Sequence, residues 1–247
     1  LRHYSTTETN RNRGRARIFY KIFLNTDLLE IAPQGGGDSQ AVADVENPVR
    51  DAAQCNVCHY IVDPTAGIFQ HFDDGGHWRP RSGGWYDDSF APGFVDEPLP
   101  EAQQELALPW LASQVVQDRR FARAMVANLF EMILGRRPLK FPTDPNAEGY
   151  LGHIKAYTAQ QEWLRQTVDA FIAADYSLKA LVKLIVTSPY YTTSHVDLDL
   201  DTFDPDQRAQ YAGIGLARLL TPEQLRNKLA ATFGERWLVD DADVLSP

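Results

Sequence analysis

Cys55-Asn56-Val57-Cys58-His59 sets two thiols three residues apart, with an imidazole directly after the second. These are both cysteines of the 247-residue chain, so none is left for a disulfide elsewhere. For the three side chains to act together the backbone must make one turn of helix there. From such a turn, two thiols can add to the vinyl groups on one edge of a haem, and the adjacent imidazole reaches the iron from one side of the ring. Three other readings compete. A thioredoxin-like redox pair sits in a βαβ setting, and no strand pattern surrounds these residues. A zinc site needs a fourth ligand and usually shows a second ligand pair. Chance would have to place the only two cysteines three apart with histidine next. Covalent attachment of one haem c is therefore expected, with Cys55 and Cys58 as tethers and His59 as the proximal ligand.

The rest of the chain must supply a core and a wall for such a group. Hydrophobic residues make up 44% and charged residues 23%, which excludes intrinsic disorder. No apolar run approaches the roughly 18 residues of a spanning helix, so no membrane span is expected in this chain. A formal net charge of −9 argues against nucleic-acid binding, which needs clustered Lys and Arg. The chain begins at Leu1 rather than Met and ends soon after a helix has formed, which suggests a piece of a longer polypeptide.

The polar residues 1–12 read as an extended lead-in. From Arg13 to Ile31 the pattern is helical, with Ile18, Phe19, Ile22, Phe23 and Leu29 on one expected buried face. Pro33 and Gly35-Gly36-Gly37 end it. Residues 38–100 are loop-rich yet carry Trp78, Trp85, Tyr86 and Phe90, as expected of a segment packed on something large and flat. Helix-period patterns follow over 109–117, 119–135, 147–174, 177–188 and 221–233, with Pro109 in a first turn and Thr221-Pro222-Glu223-Gln224 as a capping box. Ser177 is a candidate N-cap. The expected fold is mainly α, an irregular helical domain with a long haem-wrapping loop. Residues 1–100 hold the first helix and the haem segment, and 101–247 pack on them as one compact unit.

Residues 55–79, CNVCHYIVDPTAGIFQHFDDGGHWR, resemble the haem-bearing module of the large c-type cytochrome proteins of planctomycetes and myxobacteria, a family mostly described as domains of unknown function. The shared frame is the C-x-x-C-H motif, Asp63-Pro64, Gly67, Phe72-Asp73, Gly76 and Arg79. Looser matches run through Phe121 to Arg136, Tyr176 to Lys179, Ile185 to Tyr190 and Leu220 to Leu225, covering most of 55–233. Gln70-His71 depart from the usual pattern, where an acidic and a small polar residue are expected. The resemblance implies an exported protein, periplasmic or extracellular, usually much longer than this chain.

Around the motif, Asp63-Pro64 reads as a turn that stops the haem-binding helix, and Gly67 as a bend bringing backbone close to the porphyrin. Arg79 and Arg81 suit haem propionates, with solvated surface as the equal alternative. Trp78 and Trp85 read as packing walls. For the sixth ligand, Met125 and Met132 lie seven apart on one helix face with Phe121 and Leu129, and each alone also fits core packing. His77 is the leading histidine, in a Gly-rich loop, ahead of His71, His153, His3 and His195. Asp197 to Asp201 resembles a calcium loop, but Thr202 and Arg208 occupy the glycine and acid positions, so a solvated loop is expected. Asp73, Asp74, Asp87 and Asp88 read as turn residues rather than calcium ligands, and Arg11 to Arg17 as an exposed face.

The leading expectation is a monohaem c-type cytochrome module for single-electron transfer outside the cytoplasm, docking to a redox partner protein or larger complex. The alternatives are an interaction subunit with a structural haem and a peroxidase-like haem enzyme. Electron transfer is favoured over catalysis, and no catalytic triad or carboxylate pair is argued from spacing.

Overall fold

Asn25 ends the first helix, α1 (Arg13–Leu24), by turning left-handed at φ 49°, a conformation asparagine tolerates better than most residues. Asp27 then accepts a bond from Leu29 N at 3.2 Å and pairs with Arg17 at 2.9 Å, and a short α2 (Leu28–Ile31) follows. The continuous helix expected over 13–31 is thus two. The computed structural model describes residues 2–31, 46–197, 202–214 and 220–234, and two short strands beyond them. Pro33 and Gly35-Gly36-Gly37, and most of the Asp197 to Asp201 stretch, lie outside the described residues. Residues 2–12 are a series of turns rather than an extended lead-in, with Arg11 and Asn12 both at positive φ.

The buried face of α1 also differs from expectation. Arg15, Ala16, Tyr20 and Leu24 are buried, whereas Ile22 is 44% exposed and Phe23 and Leu29 also face outward. Ala16, Tyr20 and Leu24 repeat every four residues as regularly as the larger apolar stripe, and small Ala16 allows close approach of a neighbouring helix. That neighbour is α4 (Ala53–Ile68), whose Thr65 donates to the Tyr20 hydroxyl at 3.4 Å. It follows a single turn, α3 (Pro48–Asp51).

Helix α4 runs straight through Asp63-Pro64, which was expected to stop it. Pro64 removes one N–H from the ladder. Every residue from Val62 to Ile68 is nevertheless buried, and that packing, with the ion pair on Asp63, holds the helix together. Gly67 likewise lies within α4, and what approaches it is the ring of Pro92. The loop-rich segment returns onto α4 through β1 (Gly93–Phe94) and β2 (Glu97–Pro98), an antiparallel hairpin with Gly93 opposite Pro98.

A 3-10 turn (Glu101–Leu106) leads into α5 (Ala107–Val115), and α6 (Arg119–Leu134) starts at Asp118, whose side chain accepts from Arg120 N. Then come α7 (Tyr150–Ala173), α8 (Leu178–Val186), α9 (Pro189–Thr192), α10 (Pro205–Ala209) and α11 (Pro222–Phe233). Strands β3 (Leu238–Val239) and β4 (Ala242–Asp243) form a second hairpin. The protein is mainly α, and the later helices fall close to their expected limits. Thr221 makes both bonds of its capping box, and Ser177 Oγ accepts from Ala180 N at 3.4 Å just before α8.

The chain divides into two compact units, Leu1–Pro138 with Ala159–Ile185, and Leu139–Thr158 with Val186–Pro247. Position 100, where loop gives way to helix, falls inside the first. In that unit Tyr20, Leu24, Val62, Ile68, Phe94 and Leu111 join in one core across α1, α4, β1 and α5. In the second, Gly152 N donates to Asp206 Oδ1 at 3.2 Å, tying the start of α7 to α10.

Candidate functional site

Helix α4 opens at the cysteine motif. Ala52 is extended, and its carbonyl accepts the N–H groups of Cys55 and Asn56, each at 2.9 Å, so the pentapeptide is helical from its first residue. Cys55 and Cys58 stand three apart on that helix, hence on one side of it, and both are half-buried free thiols.

His59 follows, and its Nδ1 lies 3.0 Å from Oδ1 of Asp63, one turn further on. The Asp63 side chain has no exposed surface. Arg13, from α1, meets the same carboxylate at two points, Nε to Oδ1 at 2.7 Å and Nη2 to Oδ2 at 3.2 Å. A charge so buried persists only when paired. Burial works to raise the Asp63 carboxyl, but the bonds from His59 and Arg13 outweigh it and hold the group below the usual carboxylate range. Asp63 is then ionised and accepts only. The proton in its bond to His59 belongs to Nδ1, and in the neutral ring Nε2 carries the lone pair.

Comparison with protein-family models, curated proteins and solved structures returns no match.

Two free thiols a helical turn apart and an imidazole with Nε2 bare fit the donor set of a covalently attached haem. Among the described residues no three His, Cys, Asp or Glu side chains converge on a common point, as a zinc site would need. Their sheets are two antiparallel hairpins, not the βαβ frame of a thioredoxin-like pair.

The loop that follows α4 returns to the residues flanking the motif. Tyr60 donates to Asp96 and meets the Phe90 ring edge-on at 5.6 Å, and the Arg50 guanidinium lies 5.8 Å from the same ring. Trp85 donates to Phe90 O at 2.8 Å and packs against the core. Tyr86 is held between two guanidiniums, Arg11 at 4.1 Å and Arg81 at 3.9 Å.

Residues 71–79 form a tight turn around Asp73. His77 N donates to its Oδ1 at 2.8 Å and Arg79 Nε lies 2.8 Å from its Oδ2. The bond from His77 N leads in holding the Asp73 carboxyl low, opposed by desolvation and helped by the His77 and Arg79 charges. Arg79, expected at a propionate or on the solvated surface, is 74% exposed and paired to Asp73, and Arg81 spends its Nε on Gly84 O and its Nη1 on the Tyr86 hydroxyl. Trp78 is 51% exposed beside His71, and the His77 ring is 75% exposed. On α6, Met125 is half-buried and Met132 is 78% exposed, so the two do not share one buried stripe.

The Arg-rich start of α1 is not a solvated face. Besides Arg13, the buried Arg15 donates to Tyr4 O at 2.7 Å, Asn12 Oδ1 at 2.9 Å and Phe72 O at 2.9 Å, and also to Asp73 O. Asp63 and Arg13 are the site residues that sequence reasoning missed. The four-residue step from His59 to Asp63 was the available signal, masked by the turn propensity of Asp-Pro.

Proposed function

We propose that this chain is a monohaem c-type cytochrome module that passes single electrons outside the cytoplasm, as part of a larger protein or complex. The observation that carries the reading is the helical C-x-x-C-H turn whose histidine is fixed through Nδ1, leaving Nε2 for a metal. Cys55 and Cys58 would hold the group through thioethers and His59 through its ring; when bound, a haem supplies a one-electron ferric/ferrous couple. The protein's own contribution is to orient the imidazole through Asp63 and to set the charge nearby through Asp63 and Arg13. The resemblance of residues 55–79 to planctomycete and myxobacterial cytochrome modules supports export and a longer parent polypeptide. Met125, Met132 and His77 remain the proposed sixth ligands, and Arg79 and Trp78 the proposed rim.

The test is a pyridine haemochrome spectrum with mass spectrometry on the purified chain made in a host that matures c-type cytochromes. A mass excess of one haem surviving denaturation, with a low-spin, reversibly reducible spectrum, supports the carrier. Colourless protein with two free thiols overturns it.

One observation favours a second reading, a peroxidase-like haem enzyme. The ionised Asp63 against His59 Nδ1 makes the ring a stronger donor, which favours the ferric state. A high-spin ferric spectrum that changes with peroxide would select that reading.

A further inference from the structure

We infer that Asp63, seated by Arg13, is a positioning residue for His59: it locks the ring in the Nδ1–H tautomer and raises the basicity of Nε2, so that an iron bound there is poised towards the ferric state. This rests on the haem reading for its redox consequence, but not for the tautomer.

The geometry demands more than a helix-stapling ion pair. Oδ1 of Asp63 is shared between Arg13 Nε at 2.7 Å and His59 Nδ1 at 3.0 Å, while Oδ2 takes Arg13 Nη2. Arg13 is itself anchored, its Nη1 donating to Thr9 O at 3.2 Å. The carboxylate therefore cannot swing away without breaking contacts to two helices. A free imidazole in water can carry its proton on either nitrogen. Here the acceptor-only partner at Nδ1 removes that choice, and a second-shell bond from a ligating histidine to a carboxylate raises ligand basicity. The guanidinium offsets part of the carboxylate charge, so the push on the ring is tempered by Arg13. Asp63 and Arg13 thus act in opposite senses on the same ring.

A purely structural ion pair can be replaced by apolar side chains with little loss, because the desolvation of both charges is relieved at once. The double variant Arg13→Met with Asp63→Leu therefore keeps the α1–α4 contact while removing the acceptor, and Asp63→Asn keeps the shape but not the charge. Two readouts separate the ideas. The first is the nitrogen-15 shift pair of His59 in the full chain produced without haem attachment, at a pH where the ring is neutral. The wild type is expected to show protonated Nδ1 and bare Nε2, and the double variant a shift towards Nε2–H. The second is the midpoint potential of the haem-bearing chain. At the wild-type midpoint, both variants are expected to hold about tenfold more ferrous over ferric haem, a rise of about 59 mV for one electron.

An unchanged tautomer in the folded double variant overturns the inference. So does a ferrous-to-ferric ratio within about twofold of wild type in both variants. If the chain takes up no haem at all, the functional reading fails while the tautomer result still decides the role of Asp63.

Discussion

A methyl group placed on Gly67 would lie 2.7 Å from Cγ of Pro92 and 3.0 Å from its backbone Cα. Helix α4 and the loop that returns over it are in contact at this point with no room for a side chain. Alanine is ordinarily the better helix residue by about 1 kcal/mol. Overpacking against a rigid ring and backbone outweighs that gain, and Gly67→Ala is expected to destabilise the fold by about 1–2 kcal/mol. Denaturant unfolding of Gly67→Ala, and of the same variant with Pro92→Ala, checks it: the second change should recover part of the loss.

Arg15 gathers the carbonyls of Tyr4, Phe72 and Asp73 around one buried guanidinium only 3% exposed. Arg15→Met removes every donor and leaves those carbonyls short of partners. The expected cost is about 2–4 kcal/mol, with the 71–79 turn loosening first. Faster amide exchange at His77 and Arg79 than in α6 would show it; uniform exchange across the first unit would contradict it.

Asp27 is the acid-labile contact of the N-terminal helices. The bond from the Arg17 guanidinium holds its carboxyl down to about 2, against an ordinary 3.8, outweighing desolvation, with smaller help from Leu29 N and the Arg17 and Lys21 charges. A carboxylate depressed on folding contributes stability that is complete above its unfolded value and is lost as pH falls towards its folded one. The contribution should therefore be full above about pH 5 and fade between about 4 and 2. Because the Arg17 side chain is 38% exposed and solvent screens the pair, it is expected to be about 1 kcal/mol. Asp27→Asn should cost that much at pH 7 and progressively less as pH falls towards 2, as measured by unfolding at several pH values between them.

The two thiols should be separable. If the proposed haem is attached, Cys55→Ser and Cys58→Ser singly should each leave one thioether and a haemochrome band shifted to the red by the remaining vinyl group, and the double variant should retain no haem after denaturation. Of the axial positions, His59→Ala should abolish the low-spin spectrum, as should one substitution among Met125, Met132 and His77. If none of the three does so, the sixth ligand lies elsewhere.

The helical turn at the cysteine motif, the later helices and the Thr221 cap were legible because each is a local signal, fixed by neighbours within a turn. The face of α1 was not. The larger side chains Ile22 and Phe23, with Leu29 of α2, promised burial, but they are exposed, while Ile18, Phe19 and Ile22 line an open apolar cavity of about 540 Å³ with Leu111 and Phe121. Ala16 and Tyr20 took the core because helix approach rewards fit as well as hydrophobicity. Asp63-Pro64 misled for a related reason. Its turn propensity is a property of two adjacent residues, and it yields to an arginine that no window around position 63 contains. The same is true of Arg79, whose partner Asp73 is near in sequence but meets it only because the chain turns at Gly76.

The contact between Arg13 and Asp63 joins positions fifty apart along the chain. On the proposed haem reading, the setting of the proximal imidazole therefore depends on a guanidinium that the C-x-x-C-H segment does not contain. Helix α4 alone would keep the four-residue step from His59 to Asp63 but lose the arginine that seats the carboxylate, so the electronic environment proposed for the ring is a product of tertiary assembly as well as of the pentapeptide.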